Sequence, residues 1–350
     1  ISTAKKYLKD PKLFTYEFIS NNKEISGEAE KAKDIANNLS LNLDVTSVTP
    51  KIIIENFGKV ISICESPITS IRQVCDYLLF KKFKISNRPV AIIGHGGDEL
   101  LGGYDYNFLN FLLDKHNKSK NFKKIINEIF DYFNFKKMDK KKKQETLFNI
   151  LITISNQNGS TKDCTPFIEV DNFSKDFLNE YLDESYFEKK LSKQLNFLQN
   201  SQILDIENIS LPRNLKYCDR LSMANGVEAR VPFLDHKLAT YLFNLKNNMK
   251  FKKNKSRWIF KSIFPNKTAK FFSKRKNSVP DPQSIWLKKD LKDFFLEEFY
   301  SKKFKENKMF NHKKVLKNVD AFHKNKLNSS FHLFQIFTYQ KFLNEFKLQN

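Results

Sequence analysis

The chain has 350 residues, 40% of them hydrophobic and 14% aromatic, enough for a substantial core and, at about 100–200 residues per domain, for two compact domains. Its aromatic content excludes a disordered chain, and its 9 Gly and 10 Pro exclude collagen-like or linker-dominated architectures. A formal net charge of +22 raises the question of a polyanionic partner, but only seven of the 61 basic residues are Arg. Lys is spread along the whole length beside abundant Asn, Ile and Phe, the mark of an AT-rich coding sequence, and base readout relies on Arg forks; nucleic acid is not the expected partner. Five of the seven Arg lie between Arg213 and Arg275, which suggests specific roles there.

The sequence opens on Ile1 without a charged or apolar leader, and we expect further sequence upstream. Cys64, Cys75, Cys164 and Cys218 lack C-x-x-C spacing, which argues against a zinc site or a disulfide scaffold and fits a reducing cytoplasm. No apolar run approaches the roughly 18 residues that cross a bilayer, so a membrane-spanning protein is not expected.

Leu13 to Phe18 and Leu43 to Val48, rich in β-branched and aromatic residues, read as strands. Between them Ala29, Ala32, Ile35, Ala36 and Leu39 recur at the spacing of one buried helical face. Lys51 to Ile63 and Ser70 to Phe83 are helical in pattern, and Pro89 to Gly94 is an apolar strand ending in glycine. The alternation predicts an α/β domain over residues 1–115, a doubly wound parallel sheet whose ligands sit beyond the carboxyl ends of the strands. Farther on, the pattern is almost wholly helical, and residues 116–350 are expected to be mainly α-helical, with a basic linker at Lys136 to Lys143. Asp235 reads as the N-cap of a helix whose Leu238, Tyr241, Leu242 and Leu245 form a core stripe. Pro265, Pro280 and Pro282 mark a loop, and the last helices occupy roughly residues 313–347.

Three segments could carry chemistry. Gly94 to Tyr104 holds five of the chain's nine glycines after a strand end. Glycines there let main-chain N–H groups approach a phosphate or a planar ring, and Asp98 with Glu99 could hold magnesium or orient a polar group; a tight turn with two acids at a helix start is the plainer reading. Leu211 to His236 sets Asp219, Arg220, Glu228 and Arg230 in an apolar background, which predicts at least one partly buried carboxylate–guanidinium pair scaffolding a cleft. Ser273 to Trp286 places Lys274, Arg275 and Lys276 on a proline-bounded loop, either a solvated basic loop or a source of positive charge over a leaving phosphate.

In this order the three segments resemble the synthetase domain of the asparagine synthetase family, glutamine-dependent amidotransferases with lactam-forming relatives. The family's Ser-Gly-acid-Gly-small-Asp-Glu-x-x-Gly-Gly-Tyr is met by Ile93, Gly94, His95, Gly96, Gly97, Asp98, Glu99, Gly102, Gly103 and Tyr104. Its Asp-Arg-x-Ser-Met-Ala-x-x-x-Glu-x-Arg-Val-Pro-Phe-Leu-Asp runs unbroken from Asp219 to Asp235, and its Lys before a Pro and a Trp is met by Lys276, Pro282 and Trp286.

The resemblance implies a doubly wound, ATP pyrophosphatase (adenine-nucleotide α-hydrolase) type fold followed by a helical domain. It implies a ligase that uses ATP and Mg2+ to adenylate a small carboxylate, aspartate or a related acid, and then passes ammonia or an amine to it, releasing AMP and pyrophosphate. In that reading Lys276 faces the pyrophosphate, Gly94, His95, Gly96 and Gly97 line the nucleotide, and Phe18 ends a strand near the adenine. Asp98 and Glu99 act at the metal, Tyr104 faces the acyl group, and Glu228 joins the catalytic set. Asp219, Arg220, Arg230 and Asp235 line or support the cleft.

Ammonia is expected from glutamine through an upstream glutaminase domain, and a homodimer is compatible with the resemblance. The family's Ser-Gly-Gly-x-Asp-Ser loop is absent and is expected upstream of Ile1, so the chain alone is expected to be inactive. Ile93 and His95 replace the usual Ser and acid, and Ser278 and Val279 replace a Gly-Phe, all on the acceptor side. A protonated His95 would reverse the charge preference there, whereas a surface His95 would have no consequence. Two other readings stay open: a non-catalytic relative, and a tRNA-acting protein of the same fold.

Overall fold

A computed structural model of the chain describes residues 4–8, 10–20, 23–25, 28–116, 122–140, 143–144, 146–147, 170–181, 192–252, 255–263, 282–327 and 330–348. Strand β1 (Leu13–Ser20) folds back at its end onto β2 (Lys23–Glu24). It runs parallel to β3 (Leu43–Val48), in register from Leu13 opposite Leu43 to Phe18 opposite Val48. The crossover is α1 (Glu28–Asn38), whose Ala29 and Ala36 are fully buried, as their spacing predicts. Helix α2 (Pro50–Cys64) starts at Thr49, whose hydroxyl accepts the Ile52 N–H at 3.4 Å, with Pro50 in the first turn where its missing donor costs nothing. After α3 (Arg72–Ile85) comes β4 (Val90–Ile92), which runs parallel to β5 (Glu228–Arg230).

Hydrogen bonding thus links the described strands as two small sheets, a mixed one ordered β2-β1-β3, in which β2 runs antiparallel to β1, and a parallel one, β4-β5, in a chain that is mostly helical. Strand β5 was not anticipated. Three residues, two of them charged, are too short a run to give a period-two signal in the sequence, and only their partner β4 makes them a strand.

Among the described residues, the further α-helices are α4 (Gly97–Leu101), α5 (Asp105–His116), α6 (Phe122–Tyr132), α7 (Lys175–Tyr181), α8 (Phe197–Glu207) and α9 (Ser210–Met223). They are followed by α10 (His236–Phe243), α11 (Asn247–Lys250) and α12 (Trp258–Ile263). The chain closes with α13 (Gln283–Lys288), α14 (Lys292–Tyr300), α15 (Lys302–Glu306), α16 (His312–His323) and α17 (Phe331–Glu345).

The main core joins the N-terminal sheet to the C-terminal helices. Phe18, Val48, Ile53, Phe57 and Val60 pack in one buried cluster with Trp286, Phe295, Phe299, Phe322 and Phe337. Some of its rings meet edge-on, an arrangement their quadrupoles favour: Phe18 lies 5.5 Å from Trp286 at 86°, and Phe57 lies 5.4 Å from Phe294 at 78°. A second cluster stacks Phe108 on Tyr132 at 3.7 Å and includes Leu198 and Phe251. A third, smaller cluster sets Leu100 and Leu101 of α4 against Leu242 of α10.

Asp235 caps α10, accepting the N–H groups of Lys237 at 3.1 Å and Leu238 at 3.0 Å. The stripe expected to follow it is corrected: Leu242 is buried, but Leu238 is 37% and Tyr241 61% exposed. Helix α10 packs toward the short α4 through Ala239, Leu242 and Phe243, with Leu245 just beyond its end. Among the described residues, Cys64, Cys75 and Cys218 are buried cysteines, and no helix is long and apolar enough to cross a membrane. Cys164 lies outside the described residues.

Trp286→Ala should lower the unfolding free energy by about 3–5 kcal/mol in urea titrations, because it empties the largest fully buried site, whereas Tyr241→Ala should change it by less than about 0.5 kcal/mol. Equal effects of the two would contradict this packing.

Candidate functional site

The β4–β5 ladder extends beyond its paired residues: Glu228 donates its N–H to the Pro89 carbonyl at 2.7 Å, and Ile93 donates to the Arg230 carbonyl at 2.8 Å. The chain then leaves the sheet at Gly94 and turns into α4. Gly96 sits at φ +88, a left-handed conformation that a β-carbon resists, and such a carbon there would also collide with the Leu234 side chain. One at Gly97 would lie 3.5 Å from the Phe233 ring. The Pro-Phe-Leu turn of the second segment therefore closes directly over the glycine-rich turn of the first.

Asp98 and Glu99 diverge. Asp98 folds over Gly103, where a β-carbon would collide with its carboxylate, and the Gly103 N–H donates to the Asp98 carbonyl at 2.7 Å. Its Oδ1 accepts from Arg257 Nη1 at 3.0 Å, with both side chains about a quarter exposed. Arg257 holds a left-handed backbone, φ +53, immediately before α12. One turn on, burial first and the charges of Arg257 and Lys255 next push the Lys261 ammonium down to about 8, and Asp98 opposes the shift.

Glu99 is 4% exposed. It accepts from the Tyr104 hydroxyl at 2.6 Å and from the Ser210 hydroxyl at 3.2 Å. Burial, and then the Glu99 charge, raise the Tyr104 hydroxyl above its ordinary range and keep it a donor. Its ring stacks on Tyr106 at 5.2 Å.

As a pair, Asp98 and Glu99 do not fit a magnesium ion: one carboxylate is held by the Tyr104 and Ser210 hydroxyls and the other by a guanidinium. Among the described residues, no group of three His, Cys, Asp or Glu could hold a metal ion.

His95 is partly buried, and burial lowers its pKa below the ordinary 6.5, against the opposing pull of Glu99. Glu228 and Arg230, alternate residues of β5, share the open face of the strand, with Arg230 Nε at 2.9 Å and Nη2 at 3.3 Å from the carboxylate. The Arg230 guanidinium beside Glu228 lowers its pKa.

This corrects the expectation of a partly buried pair inside the second segment. There the pairs lie at the surface, and Arg220 turns away from Asp219 to meet Glu65 at 2.7 Å. A partly buried pair instead joins Asp98 of the first segment to Arg257, which lies outside all three segments. Arg257 carried only the weak signal of Arg enrichment between residues 213 and 275. Phe18 is fully buried against Trp286, so its ring does not face a ligand. Lys276, Ser278 and Val279 lie outside the described residues.

A histidine kept neutral by burial takes up its proton later than the unfolded chain does, so it costs stability as pH falls from about 6.5 toward its folded pKa. Relative to His95→Gln, the protein should lose stability on acidification through that window, and an NMR titration of His95 should give a midpoint below 6.5. A midpoint above 6.5 would contradict the burial.

The asparagine synthase family model matches residues 1–344. The chain is 21% identical over 315 residues to asparagine synthetase [glutamine-hydrolyzing] 1 of Bacillus subtilis (strain 168), an alignment that covers 84% of this chain and 46% of the relative. The chain thus spans about half the length of the curated relative it matches. By sequence match along nearly its whole length, and by the contact between the two segments that carry the match, the chain belongs to the asparagine synthase family.

Proposed function

We propose that the protein is the synthetase portion of an ATP-dependent, amide-forming ligase that adenylates a small carboxylate, aspartate or a related acid, and passes ammonia to it. The observation that carries the proposal is the seating of Phe233 and Leu234 on Gly96 and Gly97, next to the β4–β5 ladder, which joins two of the three family segments at one strand end. In the first step a carboxylate oxygen attacks the α-phosphorus of ATP and the bond to the β-phosphate breaks, releasing pyrophosphate. Ammonia then attacks the acyl carbon, the bond to AMP breaks, and one proton leaves the nitrogen.

Gly94 to Gly97 would line the nucleotide, and Lys276 would neutralise the departing pyrophosphate. Arg257, locked onto Asp98, and Lys261 bring positive charge beside the turn for the same purpose. A neutral His95 is suited to accept the ammonium proton at the acceptor side. Tyr104 and Glu99 would act as a buried brace under the turn, and Glu228 with Arg230 would border its mouth. We further propose that the two small sheets are parts of one doubly wound sheet, that ammonia comes from a glutaminase region of a longer protein, and that the reaction is cytoplasmic.

In a protein extended through the Ser-Gly-Gly-x-Asp-Ser loop, amide should appear with equal amounts of AMP and pyrophosphate. Lys276→Ala should cut that rate about 10²–10³-fold while leaving the unfolding midpoint in place. Release of ADP, or an unimpaired Lys276→Ala variant, would contradict the proposal.

A further inference from the structure

Lys250 is one of the largest fully buried side chains, at 0% exposure, in a chain whose lysines are otherwise largely at the surface. Its ammonium at the end of α11 donates to Gln202 Oε1 at 2.8 Å and to the Phe243 carbonyl at 2.8 Å. Gln202, on α8 and itself fully buried, turns its amide nitrogen to the carbonyls of Glu99 at 2.8 Å and Leu100 at 2.7 Å.

We propose that Lys250 is a positioning residue that acts through Gln202 to hold α4, and with it Asp98 and His95, in the orientation the site requires.

An ammonium only donates, so it accepts one of the two faces of the Gln202 amide: the oxygen toward Lys250 and the nitrogen toward α4. The flipped amide would set a donor against the ammonium and its oxygen against two carbonyl oxygens. With the face fixed, both amide hydrogens go to the last turn of α4, where helix carbonyls lack intrahelical partners. A helix of five residues cannot hold its own axis, so this outside support decides where its side chains point.

The neighbouring residue presses on the same turn: a β-carbon on Gly102 would come within 2.6 Å of the Phe251 ring. Residues 250 and 251 thus brace α4 through its carbonyls and its final glycine. Burial pushes the Lys250 ammonium down to about 8, the cost of keeping a charge where a Met would pack. If Lys250 served only to close α10 through the Phe243 carbonyl, its bond to Gln202 would be incidental.

The test is hydrogen exchange in the full chain carrying Lys250→Met, Gln202→Leu or both. Each single change should speed exchange of the amides of residues 96–103 about tenfold, the double change should add little to the larger single effect, and α17 should be unmoved. Unchanged exchange at 96–103, a uniform rise that includes α17, or additive effects would overturn the proposal. Should Lys250→Met fail to fold, the wild-type side-chain amide of Gln202 carries the test: slow exchange of both its hydrogens supports the clamp, and exchange as fast as that of exposed glutamines overturns it.

The catalytic arm rests on the ligase reading. In the extended protein, Lys250→Met should lower kcat for AMP formation about tenfold with KM for ATP little changed, because the turn is misoriented rather than lost. Should the wild-type protein make no amide, the ligase reading fails while the exchange result still decides the clamp.

Discussion

Three residue pairs hold the site together: Val90 with Glu228, Ala91 with Ala229 and Ile92 with Arg230. They close a long loop of chain, at an entropic cost that short strands alone do not offset. The compensation comes from what lies beside them. Tyr217 and Leu221 of α9, and Val227 just before β5, are buried in the main core with residues of α2 and α3, so packing of the second segment supports the ladder. The ladder then fixes register, and register puts Phe233 and Leu234 over the glycines.

The glycine-rich turn is supported by several neighbouring elements, while Gly94 at its start stays open. Leu242 and Leu245 pack on its apolar side, Gln202 takes its carbonyls, Tyr104 and Ser210 hold Glu99 beneath it, and Arg257 holds Asp98 at its edge. Such preorganisation suits chemistry in which charge develops on a phosphate, since fixed donors need not reorganise as the reaction proceeds. It also separates two adjacent acids into different roles: Glu99 anchors the turn, and Asp98 organises a guanidinium.

Local features were legible in the sequence. The alanine stripe of α1, the bounds of β3 and the cap at Asp235 each depend on residues a few positions apart. What depended on distant partners was not. Strand β5 exists only against β4, Leu238 and Tyr241 are exposed while Leu242 on the same helix is buried, and Phe18 is enclosed by Trp286, far along the chain. The site divides the same way. The family pattern marks Gly94 to Tyr104 and Asp219 to Asp235, but neither the Asp98–Arg257 pair nor the Lys250–Gln202 contact has a local signature, because a lysine among many carries no sign of burial.

The most direct measurement is a crystal structure of the N-terminally extended protein with a non-hydrolysable acyl-adenylate analogue. The account predicts the adenylate against Gly94 to Gly97, within the wall formed by Phe233 and Leu234, and the Lys276 ammonium in contact with the phosphate. An analogue bound elsewhere, or a Lys276 turned to solvent with the site filled, would contradict it.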